Sequence, residues 1–184
     1  TGVQTCALPI SRDLLIASVL SPDPVIFIDD RWLYEQEDEL PDVKEIDLVD
    51  QKPNISIKGN DITIVSCGHT SLLSREASEI LSKENISAEI IDIRVLNPFY
   101  IDDIVLSVEK TKNLLVVDSG TLTAGFSAEI ISKVVENISN DCLLSRPKRL
   151  ALPDAPAPTS RVLEKDYYIY PKDIVEEAKN VLNI

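Results

Sequence analysis

Residues 61–98 read DITIVSCGHTSLLSREASEILSKENISAEIIDIRVLNP, and this stretch decides the fold. Ile62–Ser66 is a short, β-branched, continuously apolar run, the pattern of a strand covered on both faces. A helical stretch follows over 71–83, and a second apolar run over 88–93 ends at Asn97-Pro98. Strand, helix and strand within such a span form one crossover unit, which specifies two neighbouring parallel strands.

The alternation continues downstream. After Pro98, Ile101, Ile104, Val105 and Val108 share one helical face, so a helix is expected over 101–110. A third buried strand is expected over 114–117, a helix over 124–136, a strand over 149–152 and a terminal amphipathic helix over 172–182. The fold class is therefore α/β, in three layers, with a mostly parallel sheet and crossover helices. Pro153-Asp154-Ala155-Pro156-Ala157-Pro158 is stiff and extended, and is expected to run over the surface as a docking element.

Upstream the pattern changes. Residues 35–58 are acidic and proline-punctuated, the composition of a connector, with a weak strand signal at 54–58. Before it, a helix over 13–20 is stopped by Ser21-Pro22-Asp23-Pro24, and Val25-Ile26-Phe27-Ile28 reads as a strand buried on both faces. One helix and one strand cannot close a core, so 12–34 is expected to be the tail of a further domain. The chain contains no methionine, and its first residues, TGVQTCALPI, do not continue the later pattern. Residues 1–11 are expected to be a non-native leader on a truncated product.

Composition narrows the function. Acidic residues number 31 against 18 basic ones, a formal charge of −13. That field repels phosphate backbones and anionic lipid, so neither nucleic acid nor membrane is an expected partner. No apolar run reaches the ~20 residues of a membrane-spanning helix, and a cytoplasmic, bacterial or archaeal protein is expected. The single histidine, His69, and the isolated Cys6, Cys67 and Cys142 rule out the usual zinc spacings.

In open α/β sheets ligands sit beyond the carboxyl ends of the strands, which directs attention to 67–70, 94–98, 118–125 and 153–160. His69 alone has an unperturbed pKa near neutrality, and is a candidate cleft residue; packing or helix capping is the plainer alternative. A Cys67–His69 nucleophile is disfavoured, because near neighbours at a strand end point in different directions. Asp92 and Arg94 share a face and are expected to pair. The small residues at 119–121 and 124–126 precede a helix and could hold an anion, although tight packing explains them as well. Asp118 and Glu129 could form a carboxylate pair, but nothing in their spacing fixes the separation, and a capping or interface role suits Glu129 better.

Taken in order, Asp61-Ile62-Thr63-Ile64-Val65, Asp92-Ile93-Arg94-Val95-Leu96-Asn97-Pro98, Leu115-Val116-Val117-Asp118-Ser119-Gly120 and Gly125-Phe126-Ser127-Ala128-Glu129-Ile130 resemble the transketolase C-terminal domain. The stretch 14–34 resembles the end of the pyrimidine-binding domain in beta subunits of pyruvate and branched-chain 2-oxo acid dehydrogenases. Leu152-Pro153-Asp154-Ala155-Pro156, Leu163-Glu164-Lys165 and Tyr167-Tyr168 also suit that subfamily.

The resemblance implies domains at 12–34 (pyrimidine-domain tail), 35–58 (linker) and 59–184 (C-terminal domain). It further implies a parent enzyme that uses thiamine diphosphate and magnesium, with the cofactor-activating glutamate upstream of this chain and no catalytic or cofactor-binding residue within it. Implied partners are an alpha subunit and a second beta subunit, as α2β2, and a dihydrolipoyl acyltransferase core. A monovalent cation such as potassium is implied at the carbonyls of Ser18, Val19 and Ser21 and the side chain of Asp23. The Ser21-Pro22-Asp23 turn departs from the usual pattern there, as does Asp29-Asp30 from the family's glutamate-led pair. Alternatives are another thiamine enzyme, such as deoxyxylulose-phosphate synthase or transketolase, and a stand-alone interaction module.

Overall fold

The computed structural model describes residues 2–4, 8–37, 39 and 42–184, with side chains from residue 11 onward. Its principal sheet has five strands in the order β3-β5-β4-β7-β8, where β3 is Asn54–Ile57, β4 Ile62–Ser66, β5 Ala88–Asp92, β7 Leu114–Thr121 and β8 Lys148–Leu152. β4 pairs in parallel with β5 and β7, β7 pairs in parallel with β8, and β3 closes the edge antiparallel to β5. The expected mostly parallel α/β sheet is thus present, and the weak strand signal at 54–58 marks its antiparallel edge.

Side-chain alternation along these strands divides the core into two halves. Ile62, Ile64, Leu115 and Val117 face Leu73, Ala77 and Leu81 of α2 (His69–Lys83) and Ile174, Ala178 and Val181 of α6 (Pro171–Leu182). Val65, Ile91, Leu114 and Val116 face Ile104 and Val108 of α3 (Asp102–Thr111) and Ile130 and Val134 of α4 (Phe126–Asn137). Helices on both faces are what a run without polar alternation requires. The exception on the second face, Thr63, is matched by hydroxyls: its Oγ1 lies 2.7 Å from both Ser107 Oγ and Thr111 Oγ1 of α3.

A smaller sheet, β2-β1-β6, holds the N-terminal residues, with β1 at Gly2–Gln4, β2 at Ile26–Ile28 and β6 at Val95–Asn97. β1 lies between β2, to which it is parallel, and β6, to which it is antiparallel. Helix α1 spans Leu8–Leu20, beginning five residues before the expected position, so β1 and the first residues of α1 fall within the segment 1–11. Leu14 and Ala17 of α1 pack with Leu48 and Val95 in a third cluster.

Several expectations are corrected. β2 is not buried on both faces: Ile26 is 71% and Ile28 41% exposed, because the face of the small sheet they share is left uncovered by the described residues. The 94–98 segment is not simply a loop, since it supplies β6. Helix α5, Arg161–Tyr167, escapes a periodicity reading because it is one short segment with Val162 and Leu163 both exposed. Residues 153–157 do run exposed over the surface, where Tyr167 Oη–H donates to the Ala155 carbonyl at 2.9 Å.

Candidate functional site at the carboxyl ends of the strands

The ends of β5 and β7, together with Asp30 after β2, set three carboxylates around a buried thiol that follows β4. Cys67 follows β4 and is 4% exposed. Burial pushes its pKa well above the ordinary thiol range, and the charges of Asp118, Asp92 and Asp30 push it the same way. A thiol with its proton held this firmly is not a nucleophile. Thr70 Oγ1–H donates to the Cys67 carbonyl at 2.7 Å and lies 3.1 Å from the Val117 carbonyl, tying this turn to β7.

Asp92 closes β5. Its Oδ1 accepts from Ser71 Oγ at 2.6 Å, and its Oδ2 faces Arg94 Nε at 3.6 Å, the pair expected from their shared face. Asp118, near the end of β7, accepts the Gly120 amide at 2.8 Å and the Ser127 amide at 2.8 Å. Its carboxylate therefore occupies the amino end of α4, where the small residues at 124–126 suggested an external anion. Gly125 permits this closeness: a Cβ there would stand 2.2 Å from the Thr121 carbonyl oxygen and 3.1 Å from Asp118 Oδ2. Tight packing explains the motif. Glu129 pairs instead with Lys133, one turn along α4, at 3.5 Å.

His69 is the first residue of α2, not a loop residue. Gly68 before it takes φ 60°, the positive-φ region that glycine enters at low cost, and turns the chain into the helix. The His69 amide donates to Asp30 Oδ2 at 3.2 Å, while Asp30 Oδ1 accepts from the Trp32 amide at 3.1 Å. The half-buried imidazole stacks on the Trp32 indole, centroids 5.5 Å apart and planes at 16°. Tyr168 meets Trp32 edge-on at 5.9 Å, and Tyr167 meets Tyr168 at 5.1 Å. Burial lowers the His69 pKa, partly offset by the negative charges of Asp30 and Glu76.

The sequence thus located His69, Asp92 and Arg94 but missed the partners from outside the principal sheet. Asp30 and Trp32 follow β2, some forty residues before the helix they fasten, and only the doubled aspartate beside the single tryptophan hinted at them. Ser18, Val19, Ser21 and Asp23 stand apart from this site, at the end of α1. Ser18 and Val19 lie in its last turn, where carbonyls lack intrahelical donors. Ser18 Oγ–H donates back to the Leu14 carbonyl at 2.7 Å, and the Asp23 amide donates to Ser21 Oγ at 3.2 Å.

Comparison with known proteins places this geometry. The domain described as "Transketolase, C-terminal domain" matches residues 51–174. The chain belongs to that family. Its β3 to β8 sheet and the Cys67, Asp92 and Asp118 turns all lie within the matched span. Relatives include the pyruvate dehydrogenase E1 component subunit beta of Mesostigma viride, 32% identical over 98% of this chain and 55% of that protein. The same subunit of Staphylococcus epidermidis is 34% identical over 94% of this chain and 52% of that protein. The acetoin:2,6-dichlorophenolindophenol oxidoreductase subunit beta of Bacillus subtilis is 34% identical over 94% of this chain and 50% of that protein. This transketolase-family chain spans about half the length of the curated relatives it matches. A split-gene transketolase, solved as an inactive beta4 tetramer, superimposes with a TM-score of 0.80 over 99% of this chain and 57% of that one, at 18% identity. That agreement extends the shared fold to the N-terminal helix and small sheet.

Proposed function

We propose that this chain is the C-terminal part of the beta subunit of a thiamine-diphosphate-dependent 2-oxo acid dehydrogenase, and that its role is subunit assembly. In the parent, the reaction is oxidative decarboxylation with acyl transfer to lipoyl groups. The relatives' names and the shared half of their length support the first clause. The strand ends support the second: Asp30, Asp92 and Asp118 all act on the Cys67 thiol there, and one amide at the amino end of each of α2 and α4 is already taken, by Asp30 and Asp118. A diphosphate carried into that place would meet repulsion and amides already in use, so these residues do not fit the cofactor.

In this reading 12–34 is the tail of the pyrimidine-binding domain, 35–58 the linker and 59–184 the C-terminal domain. The partners are an alpha subunit, a second beta subunit and the dihydrolipoyl acyltransferase core, in an aqueous, cytoplasmic setting. Among the described residues no helix is long and apolar enough to cross a membrane. Exposed Leu15, Val19 and Leu20 on α1 and Ile26 and Ile28 on β2 form the apolar surface that the rest of the pyrimidine domain would cover. The carbonyls of Ser18, Val19 and Ser21 with the Asp23 carboxylate make an all-oxygen donor set, the chemistry a hard monovalent cation such as potassium accepts. Magnesium belongs with the diphosphate in the missing half.

Two measurements test the assignment. Calorimetry of the chain with thiamine diphosphate and magnesium is expected to show no heat of binding, and micromolar affinity would overturn the division of labour. Co-expression with the upstream half and an alpha subunit is expected to give a stoichiometric complex with 2-oxo acid dehydrogenase or acetoin-oxidising activity. Recovery of this chain alone, under conditions where the other two assemble, would remove the reading.

A further inference from the structure

Trp32 is the only tryptophan and His69 the only histidine in the sequence, and the fold stacks one on the other. They come from separate parts of the chain. Trp32 belongs to the 3-10 turn Arg31–Leu33 that follows β2, and His69 opens α2 beyond the carboxyl end of β4, the central strand of the principal sheet. We propose that this stack is an acid-released latch: neutral His69 holds the Trp32 turn against α2, and protonation of the imidazole frees it.

Position supplies the reason. At the first residue of a helix the unpaired amides carry partial positive charge, so an imidazolium there is opposed by the dipole. The ring is also half-buried, between α2 and the indole, which disfavours the charged form. Three influences act the other way: the Asp30 carboxylate that follows β2, the Glu76 carboxylate from the next turns of α2, and the π-face of Trp32 itself. Burial prevails, and the histidine titrates below its ordinary value.

A histidine with a lower pKa in the folded state than in the unfolded one stabilises fully above the unfolded value, about 6.5. That contribution is lost as pH falls through the folded value. The latch is therefore closed at neutral pH and opens on acidification below about 6.5. Opening is local, because Leu14, Ala17, Leu48 and Val95 hold the N-terminal helix by apolar contacts that no proton touches. The device stands whether or not the proposed enzyme assignment does.

Trp32 is its own reporter. On the full chain, emission and acrylamide quenching are followed from pH 8 to pH 5, with circular dichroism confirming that the fold persists. Trp32 is already 61% exposed in the closed state, so the emission maximum should move little; the expected result is one transition, with a midpoint below about 6.5, in which quenching by acrylamide rises as the stacked face of the indole opens. His69→Phe keeps a ring against the indole and cannot titrate, so it is expected to retain the neutral-pH quenching throughout. His69→Gln loses the stack and is expected to show the low-pH quenching already at pH 8. Wild-type quenching flat over this range would overturn the latch. So would a transition that survives in His69→Phe, or a fall in intensity without any gain in acrylamide access, which means the stack persists around a charged ring.

Discussion

β7 and β2 begin from nearly the same kind of sequence and end in different surroundings. Leu114, Leu115, Val116 and Val117 of β7 are at most 1% exposed, sealed between α3 and α4 on one side and α2 and α6 on the other. In β2, Ile26 and Ile28 lie largely open although Phe27 between them is half-buried. Apolar character tells a strand how many faces want cover, and only the surrounding chain supplies it. The sharpest contrast is expected from Ile64→Ala in β4, fully buried beside β7. Deleting that side chain should cost about 2–5 kcal/mol in urea unfolding. A loss below about 1 kcal/mol would mean the principal sheet is packed no better than the small one.

The two regions also differ in what their carboxylates do. In the body, Asp118 is 6% exposed and holds two amides, whereas Asp47 in the linker is exposed and caps only a 3-10 turn through the Val49 amide at 2.9 Å. Asp118→Ala is expected to destabilise by about 1–3 kcal/mol, the cost of buried donors left without acceptors. Asp47→Ala should fall well short of that. Gly125→Ala is expected to cost about 1–3 kcal/mol as well, by overpacking against the Thr121 carbonyl. Thermal melts of the three variants side by side check the order.

Glu89 adds a pH dependence to the same contrast. It is 2% exposed on β5; burial raises its pKa, but Lys110, Ser107 and the Gly59 amide more than reverse this, and the carboxyl sits below its ordinary value. A depressed carboxyl pKa contributes stability that is full above the unfolded value, about 4.3, and is lost as pH falls through the folded one. Glu89→Gln is therefore expected to flatten the acid limb of the stability curve measured between pH 7 and 3, while substitutions of exposed linker acids leave it unchanged. An unaltered acid limb would show that the Glu89–Lys110 pair contributes nothing in the native state.

Legibility followed the same division. The principal strands and α2, α3, α4 and α6 were readable because burial on known faces writes itself as periodicity. So was the Asp92–Arg94 pair, which needs only the two-residue repeat of a strand. Residues whose roles depend on distant chain were not readable. Asp30 looked like a departure from a family pattern, yet it joins the Trp32 turn to α2; Asp118 was considered as a partner of Glu129, yet it accepts the Ser127 amide at the start of α4. β6 and α5 are too short to carry a period, and β6 exists because β1, ninety residues earlier, pairs with it. Of the two readings of the small residues at 119–126, tight packing holds and an external anion does not, because the chain brings its own carboxylate to that helix end.

The smallest stability effect is expected where the fold reading was most mistaken, and it tells most about the missing cover. Ile26→Ser and Val19→Ser exchange side chains that are 71% and 76% exposed, so each should change unfolding free energy by no more than about 0.5 kcal/mol. Contiguous exposed apolar surface nevertheless drives association, and the double variant is expected to lower concentration-dependent self-association in sedimentation velocity. If stability falls by several kcal/mol instead, the outer face of β2 is already covered within this chain, and the comparison with β7 collapses. If stability holds and association drops, that face is incomplete alone.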